Sequence, residues 1–248
     1  MSNFNVVIPA RYASQRLPGK PLIDINGKPM IEHVYARGIE SGAAEVIIAT
    51  DDERIASAAE SFGAVVCMTR PNHQSGTERI AEVSDRLSWD DDQVVVNLQG
   101  DEPAMPPQLL GQCAALLTGS DADIATLASP FLSASDFKSP NCVKVLRDIN
   151  GRALYFSRAA IPYSRDASAA ASAQEAALHH HGIYAYRCGI LRQLVVSQPS
   201  PLESCEQLEQ LRALSLGLSI IVGVPPIRPG VGVDTQDDVR RVAEELAR

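Results

Sequence analysis

Apolar and polar positions along this chain switch repeatedly between two periods, and the switching predicts alternating strands and helices. Short apolar runs of the kind buried in a parallel sheet occur at Phe4 to Ile8, Glu45 to Thr50, Ala64 to Met68, Gln93 to Leu98 and Ile124 to Ala128. Between them lie stretches with helical spacing. One opens at Pro29 and carries Met30, Ile31, Val34 and Tyr35 on one stripe; others run from Asp52 to Phe62, from Ser75 to about Leu87 and from about Pro106 to Leu117. The repetition predicts an α/β fold with a doubly wound, mostly parallel sheet.

Beyond Ala128 the pattern changes. Cys142 to Arg147 and Arg152 to Phe156 alternate as strands, and Asn150-Gly151 between them signals a hairpin. Arg165 to Ala177, rich in Ala and Ser, reads as a surface loop or weak helix. His179 to Arg187 reads as a strand whose alternation puts His180, Tyr184 and Tyr186 on one face. Pro199 and Pro201 set off one helix from Glu203 to Leu214, buried along Leu208, Leu211 and Leu214. Glu206, Glu209 and Gln210 lie off that stripe, where a solvated face is the usual fate. Leu218 to Val224 is a last strand, and Asp234 or Thr235 caps a final helix.

The candidate chemistry begins where the first strand ends. The loop from Ile8 to Pro21 carries Arg11, Arg16 and Lys20. A cationic loop at the carboxyl end of a strand in an α/β sheet suits a triphosphate, although basic clusters also occur on plain solvated loops. No Walker motif is present. Asp101, on a turn between Gly100 and Pro103 just after the fourth apolar run, is the first candidate metal ligand. The competing reading makes it an Asp that bonds its own turn. Asp51-Asp52-Glu53 reads as a helix cap, and Ser75 or Thr77 as another, with Arg79 toward the ligand edge of the sheet. The three consecutive histidines cannot all chelate one ion from a strand, which leaves hydrogen bonding to a polyol.

Composition narrows the classes. With 248 residues, 45% of them hydrophobic, the chain can bury one large domain with a smaller appendage, and its net charge of −8 argues against nonspecific nucleic-acid binding. No apolar run is long enough to span a membrane, and Met1 to Phe4 lacks signal-peptide features, so the expected compartment is cytoplasmic. Five scattered cysteines suggest buried thiols rather than disulfides or a zinc site.

The ordered set of segments is specific. It comprises Ile8 to Leu22, Ala49 to Ile55, Ser75-Gly76-Thr77-Glu78-Arg79, Asn97 to Pro103, Leu154 to Arg158, His180 to Tyr186, Leu208 to Arg212 and Gly232-Val233-Asp234-Thr235. Together they resemble the 3-deoxy-manno-octulosonate cytidylyltransferase (CMP-Kdo synthetase) family over nearly the whole chain. The resemblance implies a nucleotide-diphospho-sugar transferase-like fold. Residues of about 136–195 would form a smaller dimerisation and sugar-binding part of a homodimer. It further implies Mg²⁺ as cofactor, CTP and Kdo as substrates, and a place in lipopolysaccharide biosynthesis. By motif, Ala10, Arg11, Lys20, Ser75, Gly76 and Gln99 would meet the nucleotide. Asp101 and Asp234 would hold the metal. Arg79, Gln99, Arg158, His180, Tyr184, Glu209 and Gln210 would surround the sugar. Lys20 and Arg16 would neutralise the leaving pyrophosphate, and removing Lys20 is expected to weaken CTP use while sparing the fold. Two alternatives stay open: the same chemistry on an 8-amino Kdo or another acidic sugar, and a metal-dependent glycosyltransferase.

Overall fold

The computed structural model describes residues 4–13, 17–166 and 170–247. The first half repeats strand and helix as β1 (Phe4–Ala10), β2 (Asp24–Ile25), β3 (Lys28–Pro29), α1 (Met30–Glu40), β4 (Val46–Thr50), α2 (Glu53–Ser61), β5 (Val65–Met68), α3 (Gly76–Arg86), β6 (Val94–Asn97), α4 (Pro107–Thr118) and β7 (Ile124–Pro130). The second half is less regular. It runs α5 (Ala134–Lys138), β8 (Lys144–Arg147), β9 (Ala153–Ser157), α6 (Ala170–Ala176), β10 (Leu178–Arg187), α7 (Cys188–Val196), α8 (Pro201–Glu206), α9 (Gln210–Ser215), β11 (Ile220–Gly223) and α10 (Gln236–Leu246).

The main sheet has the order β11-β7-β10-β6-β1-β4-β5, in which β10 alone runs against its neighbours. Alternation along β1 sends Val6 and Ile8 to one face and Val7 to the other, so each face carries its own core. Residues of α1, α2 and α4 (Ile31, Val34, Ile55, Ala59, Leu109) close the first; residues of α3, α7 and α9 (Ile80, Val83, Leu191, Leu194, Leu211) close the second. This is the doubly wound arrangement. A third cluster joins α10, through Val239 and Val242, to Ile25 and Met30.

Two features of this sheet create space. β6 pairs with β10 only from Asn97↔Tyr184 to Val94↔Arg187, whereas β8 pairs with the far start of β10 at Leu178 and His179. The His180 amide still donates to the Val143 carbonyl at 2.9 Å, so it is the β10 edge from His181 to Ile183 that faces a gap between β6 and β8. In addition, β10 bulges between His181 and Tyr184.

Several local expectations change. The predicted helix from Glu203 to Leu214 is two helices, because Gln207 adopts a left-handed φ of 52° and breaks it. Arg165 to Ala177 contains α6, whose Ala173 buries against Phe137. The cysteines are not uniformly buried: Cys113 and Cys188 are, Cys67 and Cys142 are half-buried and Cys205 is exposed.

The histidines of β10 set a pH limit on stability. Burial, then the neighbouring His181 and His179, pushes His180 down to about 3; burial, then His179 and Arg228, does the same to His181. The folded chain thus holds both rings neutral, while the unfolded chain protonates them near 6.5. Stability is complete above 6.5 and is lost as pH falls toward about 3. We expect the melting temperature to drop by roughly 5 °C or more between pH 6.5 and 4.5, and the double variant His180→Gln/His181→Gln to show a visibly flatter acid limb. Parallel acid limbs in a calorimetric pH series would remove the histidines as its cause.

Candidate functional site

The first cavity lies at the carboxyl ends of β1 and β6. The loop after β1 folds back on itself through the Gly19 amide bonding the Tyr12 carbonyl at 3.0 Å, and Gly19 takes the left-handed φ of 70° that this return requires. The turn after β6 approaches closely: a Cβ on Gly100 would stand 2.8 Å from the Pro9 carbonyl. Glycine at that point lets two strand ends share one cavity. Ala10, Arg11, Lys20, Ser75, Gly76, Arg79, Gln99 and Asp101 line it, together with His73 and Gln74. Ser75 caps α3 by accepting from the Glu78 amide at 3.3 Å, which leaves the helix start facing the cavity. Arg79 is buried and pairs with Asp51 at 3.0 Å. The wall from Arg70 to Gln74 is anchored by Glu82. Burial works against that carboxylate, but bonds from His73, Arg70 and Arg86 outweigh it and hold its pKa at about 2.

Lys20 forms the junction of the site. Its ammonium donates to the Asp101 carboxylate at 2.7 Å, to the Val233 carbonyl at 2.5 Å and to Asp234 at 3.2 Å. The Val233 amide in turn donates to the Asp101 carbonyl at 2.8 Å. The helix-cap reading of Asp234 fails, because Thr235 caps α10 in a reciprocal box with Asp238. Next to this junction Glu102 is pushed up to about 8, first by burial and then by the charges of Asp101 and Asp234.

The side chains of Asp101 and Asp234 offer hard carboxylate oxygens at that point, the donor type that fits a divalent cation. Among the described residues no group of three or more His, Cys, Asp or Glu is arranged to hold a metal. Two protein carboxylates with substrate phosphates and water is the usual donor set for Mg²⁺.

The second cavity, about 330 Å³, occupies the gap between β6 and β8 and lies within the size range of small-molecule sites. Gln99 lines both cavities and joins them. His180, Tyr184 and Tyr186 enter from β10 as the alternation predicts, with ring centroids 5.3 and 5.7 Å apart in succession. Glu209 and Gln210 enter from the opposite side. Burial raises the Glu209 pKa, against hydrogen bonds with Thr77 and Ser75 that lower it.

Of the sequence candidates, the structure therefore gathers Ala10, Arg11, Lys20, Ser75, Gly76, Arg79 and Asp101 at the first cavity and His180, Tyr184, Glu209 and Gln210 at the second, with Gln99 between. Asp234 joins through Lys20. Arg79 lines the first cavity rather than the second. Arg158 lines neither; its guanidinium donates to the carbonyls of Glu206, Pro140 and Gln207 at 2.8, 3.0 and 3.4 Å. Arg16 lies outside the described residues. Sequence reasoning missed His73 and Asn97. The first has no signal apart from its place before Ser75; the second is the polar residue that ends an otherwise all-valine strand.

Sheet order and site together mark a class, an enzyme that handles a nucleotide at the strand ends of a doubly wound sheet. The chain belongs to the cytidylyltransferase family, whose model matches residues 5–220. It is similar to the solved structure of a CMP:2-keto-3-deoxy-manno-octonic acid synthetase complexed with CTP, at 42% identity over 99% of each chain with a TM-score of 0.91. It also shares its fold with a cytidylyltransferase from Leptospira borgpetersenii serovar Hardjo-bovis (strain JB197), at 15% identity over 100% of this chain and 87% of that one, with a TM-score of 0.64. Cytidylyltransferases of this kind generally use a divalent metal.

Lys20 holds the fold as well as the site, since its side chain is 11% exposed and bridges two distant segments. The expectation that the fold would be spared is thereby revised. Lys20→Met removes the buried bond to the Val233 carbonyl and the ion pair with Asp101 and should cost about 1–3 kcal/mol in urea unfolding. A divalent cation held at the same carboxylates would supply the missing positive charge, so added Mg²⁺ should raise the melting temperature of the variant more than that of the wild type. Equal shifts would show that the cation does not take the place of the lost ammonium.

Proposed function

We propose that the protein activates 3-deoxy-manno-octulosonate (Kdo): CTP and Kdo give CMP-Kdo and pyrophosphate, in the cytoplasm, as a step of lipopolysaccharide biosynthesis. The observation that carries the reading is the pair of cavities joined at Gln99, one lined by Arg11, Lys20 and the start of α3, the other by tyrosines, a neutral histidine and amides. The first suits a triphosphate and the second a polyol. A glycosyltransferase would accept a nucleotide sugar and need no such cationic loop for a leaving pyrophosphate.

In the proposed reaction the anomeric hydroxyl of the sugar attacks the α-phosphorus of CTP, forming one P–O bond while the bond to the β-phosphate oxygen breaks. Such transfers depend on positioning and charge neutralisation rather than on covalent help from the protein. Asp101 and Asp234 would hold Mg²⁺, which when bound polarises the α-phosphate and lowers the pKa of the attacking hydroxyl. Lys20 stands beside those carboxylates and balances phosphate charge. Arg79, held by Asp51, lines the first cavity together with Gln99, which joins the two cavities, and its guanidinium suits the sugar carboxylate. Arg16 would assist the departing pyrophosphate, and Arg158 would support the sugar pocket from behind by holding Glu206 and Gln207 in place.

We also infer a homodimer. β9 pairs with β8 alone and exposes Leu154, 62% accessible, on a strand edge that ordinarily needs protection. A second copy seated there would make the part spanning residues of about 136–195 a dimerisation surface.

Three measurements test these readings. Pyrophosphate release should require CTP among the four nucleoside triphosphates and Kdo as acceptor. Asp101→Asn and Asp234→Asn should each lower turnover by about a hundredfold or more, partly recovered at high Mg²⁺ or Mn²⁺, while Asp234→Asn stays folded, because Thr235 is the cap and the Asn oxygen still accepts from Lys20. Pyrophosphate release without Kdo, or near wild-type turnover of Asp234→Asn at low Mg²⁺, defeats the corresponding part. For the dimer, Leu154→Glu should sediment as a monomer where the wild type sediments as a dimer; two dimers would move the interface elsewhere.

A further inference from the structure

Asn97 is 3% exposed at the end of a strand whose other members, Val94, Val95 and Val96, are all buried valines. Its Oδ1 is buried without a hydrogen-bond partner. It stands directly opposite Tyr184 in the antiparallel pairing of β6 with β10, and its side chain lines the second cavity. Gln210 lines the same cavity, and its Nε2 is likewise buried and unpartnered. Buried amide groups are nearly always hydrogen-bonded, and leaving one unpaired is costly. Neither the packing of the sheet nor the Lys20 junction uses Asn97, so its cost is unexplained until the cavity is filled.

The lining of this cavity also tells which end of a sugar it takes. Among the described residues it includes no Lys or Arg, and its histidine is held neutral by burial. A carboxylate has no counter-charge there, whereas Arg79 lies on the other side of Gln99. An Asn side chain offers both an acceptor and a donor, which matches a hydroxyl in either amide orientation.

We propose that Asn97 is a specificity-determining residue that, with Gln210 across the cavity, hydrogen-bonds the hydroxylated tail of an acidic sugar whose carboxylate points toward the first cavity. This rests on the Kdo reading and adds to it an orientation of the sugar and a residue that discriminates among acidic sugars. A site that hydrogen-bonds a substrate hydroxyl rejects the analogue lacking it far more strongly than an apolar pocket does.

The test is steady-state kinetics of wild type and Asn97→Leu with Kdo and with its mono-deoxy analogues along the tail. Asn97→Leu should raise the KM for Kdo by about tenfold or more, with the KM for CTP within about twofold of wild type. Its melting temperature should be unchanged or higher, because a buried orphan amide has been replaced by an apolar side chain of similar size. One tail analogue should lose about tenfold or more in kcat/KM with the wild type and lose nothing further with the variant. An unchanged KM for Kdo in the variant overturns the proposal and leaves the Kdo reading standing. So does a wild type indifferent to every tail deoxygenation, a measurement that holds whether or not the variant folds. A wild type inert toward Kdo removes the reading and the proposal with it.

Discussion

The ammonium of Lys20 is the interaction on which the site depends. A charge at this depth is tolerated only when it is paired and hydrogen-bonded, and the groups that satisfy it come from positions 81, 213 and 214 residues further along the chain. The turn after β6 and the segment before α10 must therefore arrive at the same point. The Val233–Asp101 backbone bond locks that arrival in place. The adjacent Glu102 is pushed up to about 8, because burial and the charges of Asp101 and Asp234 make a further negative group unfavourable there. The constraint that closes the fold thus gathers acidic side chains around one ammonium beside the first cavity.

The second cavity follows from the lengths of two strands. β10 spans ten residues and β6 four, so β6 covers only part of the β10 edge before it ends at Asn97. β8 resumes the pairing at Leu178 and His179. A sheet that stops and restarts along one strand exposes side chains that would otherwise be buried between layers. The reversed direction of β10 also brings the histidine end of that strand to the carboxyl ends of β6 and β1, which is where ligands bind in α/β sheets.

Much of this was legible in the sequence where the physical signal is local. The apolar runs gave the strands of the parallel half, the cap of α2 was visible in Asp52, and the two-residue period of β10 correctly put His180, Tyr184 and Tyr186 on one face. Signals that depend on distant partners were not legible. Asp234 reads as a cap from its neighbours, and only the reciprocal Thr235–Asp238 box releases it to meet Lys20. α7 begins directly at the end of β10 with no side-chain cap, so nothing in its first turn announces it. Arg158 matched a motif, yet its guanidinium is engaged by three backbone carbonyls, a fact decided by the path of residues 140 and 206–207. The hairpin of β2 and β3 did carry a local signal, since Asn26 and Gly27 take φ values of 53° and 84° in a two-residue Asn-Gly turn.

The break between α8 and α9 shows how a local cost is held in place by several contacts at once. A left-handed glutamine costs about 1–3 kcal/mol relative to an ordinary helical residue. A continuous helix would remove that cost and would rotate Glu206, Glu209 and Gln210 through successive steps of one surface. With the break at Gln207, Glu206 instead faces back to receive the Ser157 hydroxyl at 2.6 Å and the Arg158 amide at 2.9 Å. Glu209 meets Thr77 and Ser75, and Gln210 enters the second cavity. One short segment thereby ties the end of β9, the start of α3 and the wall of the second cavity together. The cost at Gln207 is offset by the contacts of Glu206 and Glu209 on either side of it, and the same contacts fix where Gln210 stands on the wall of the second cavity.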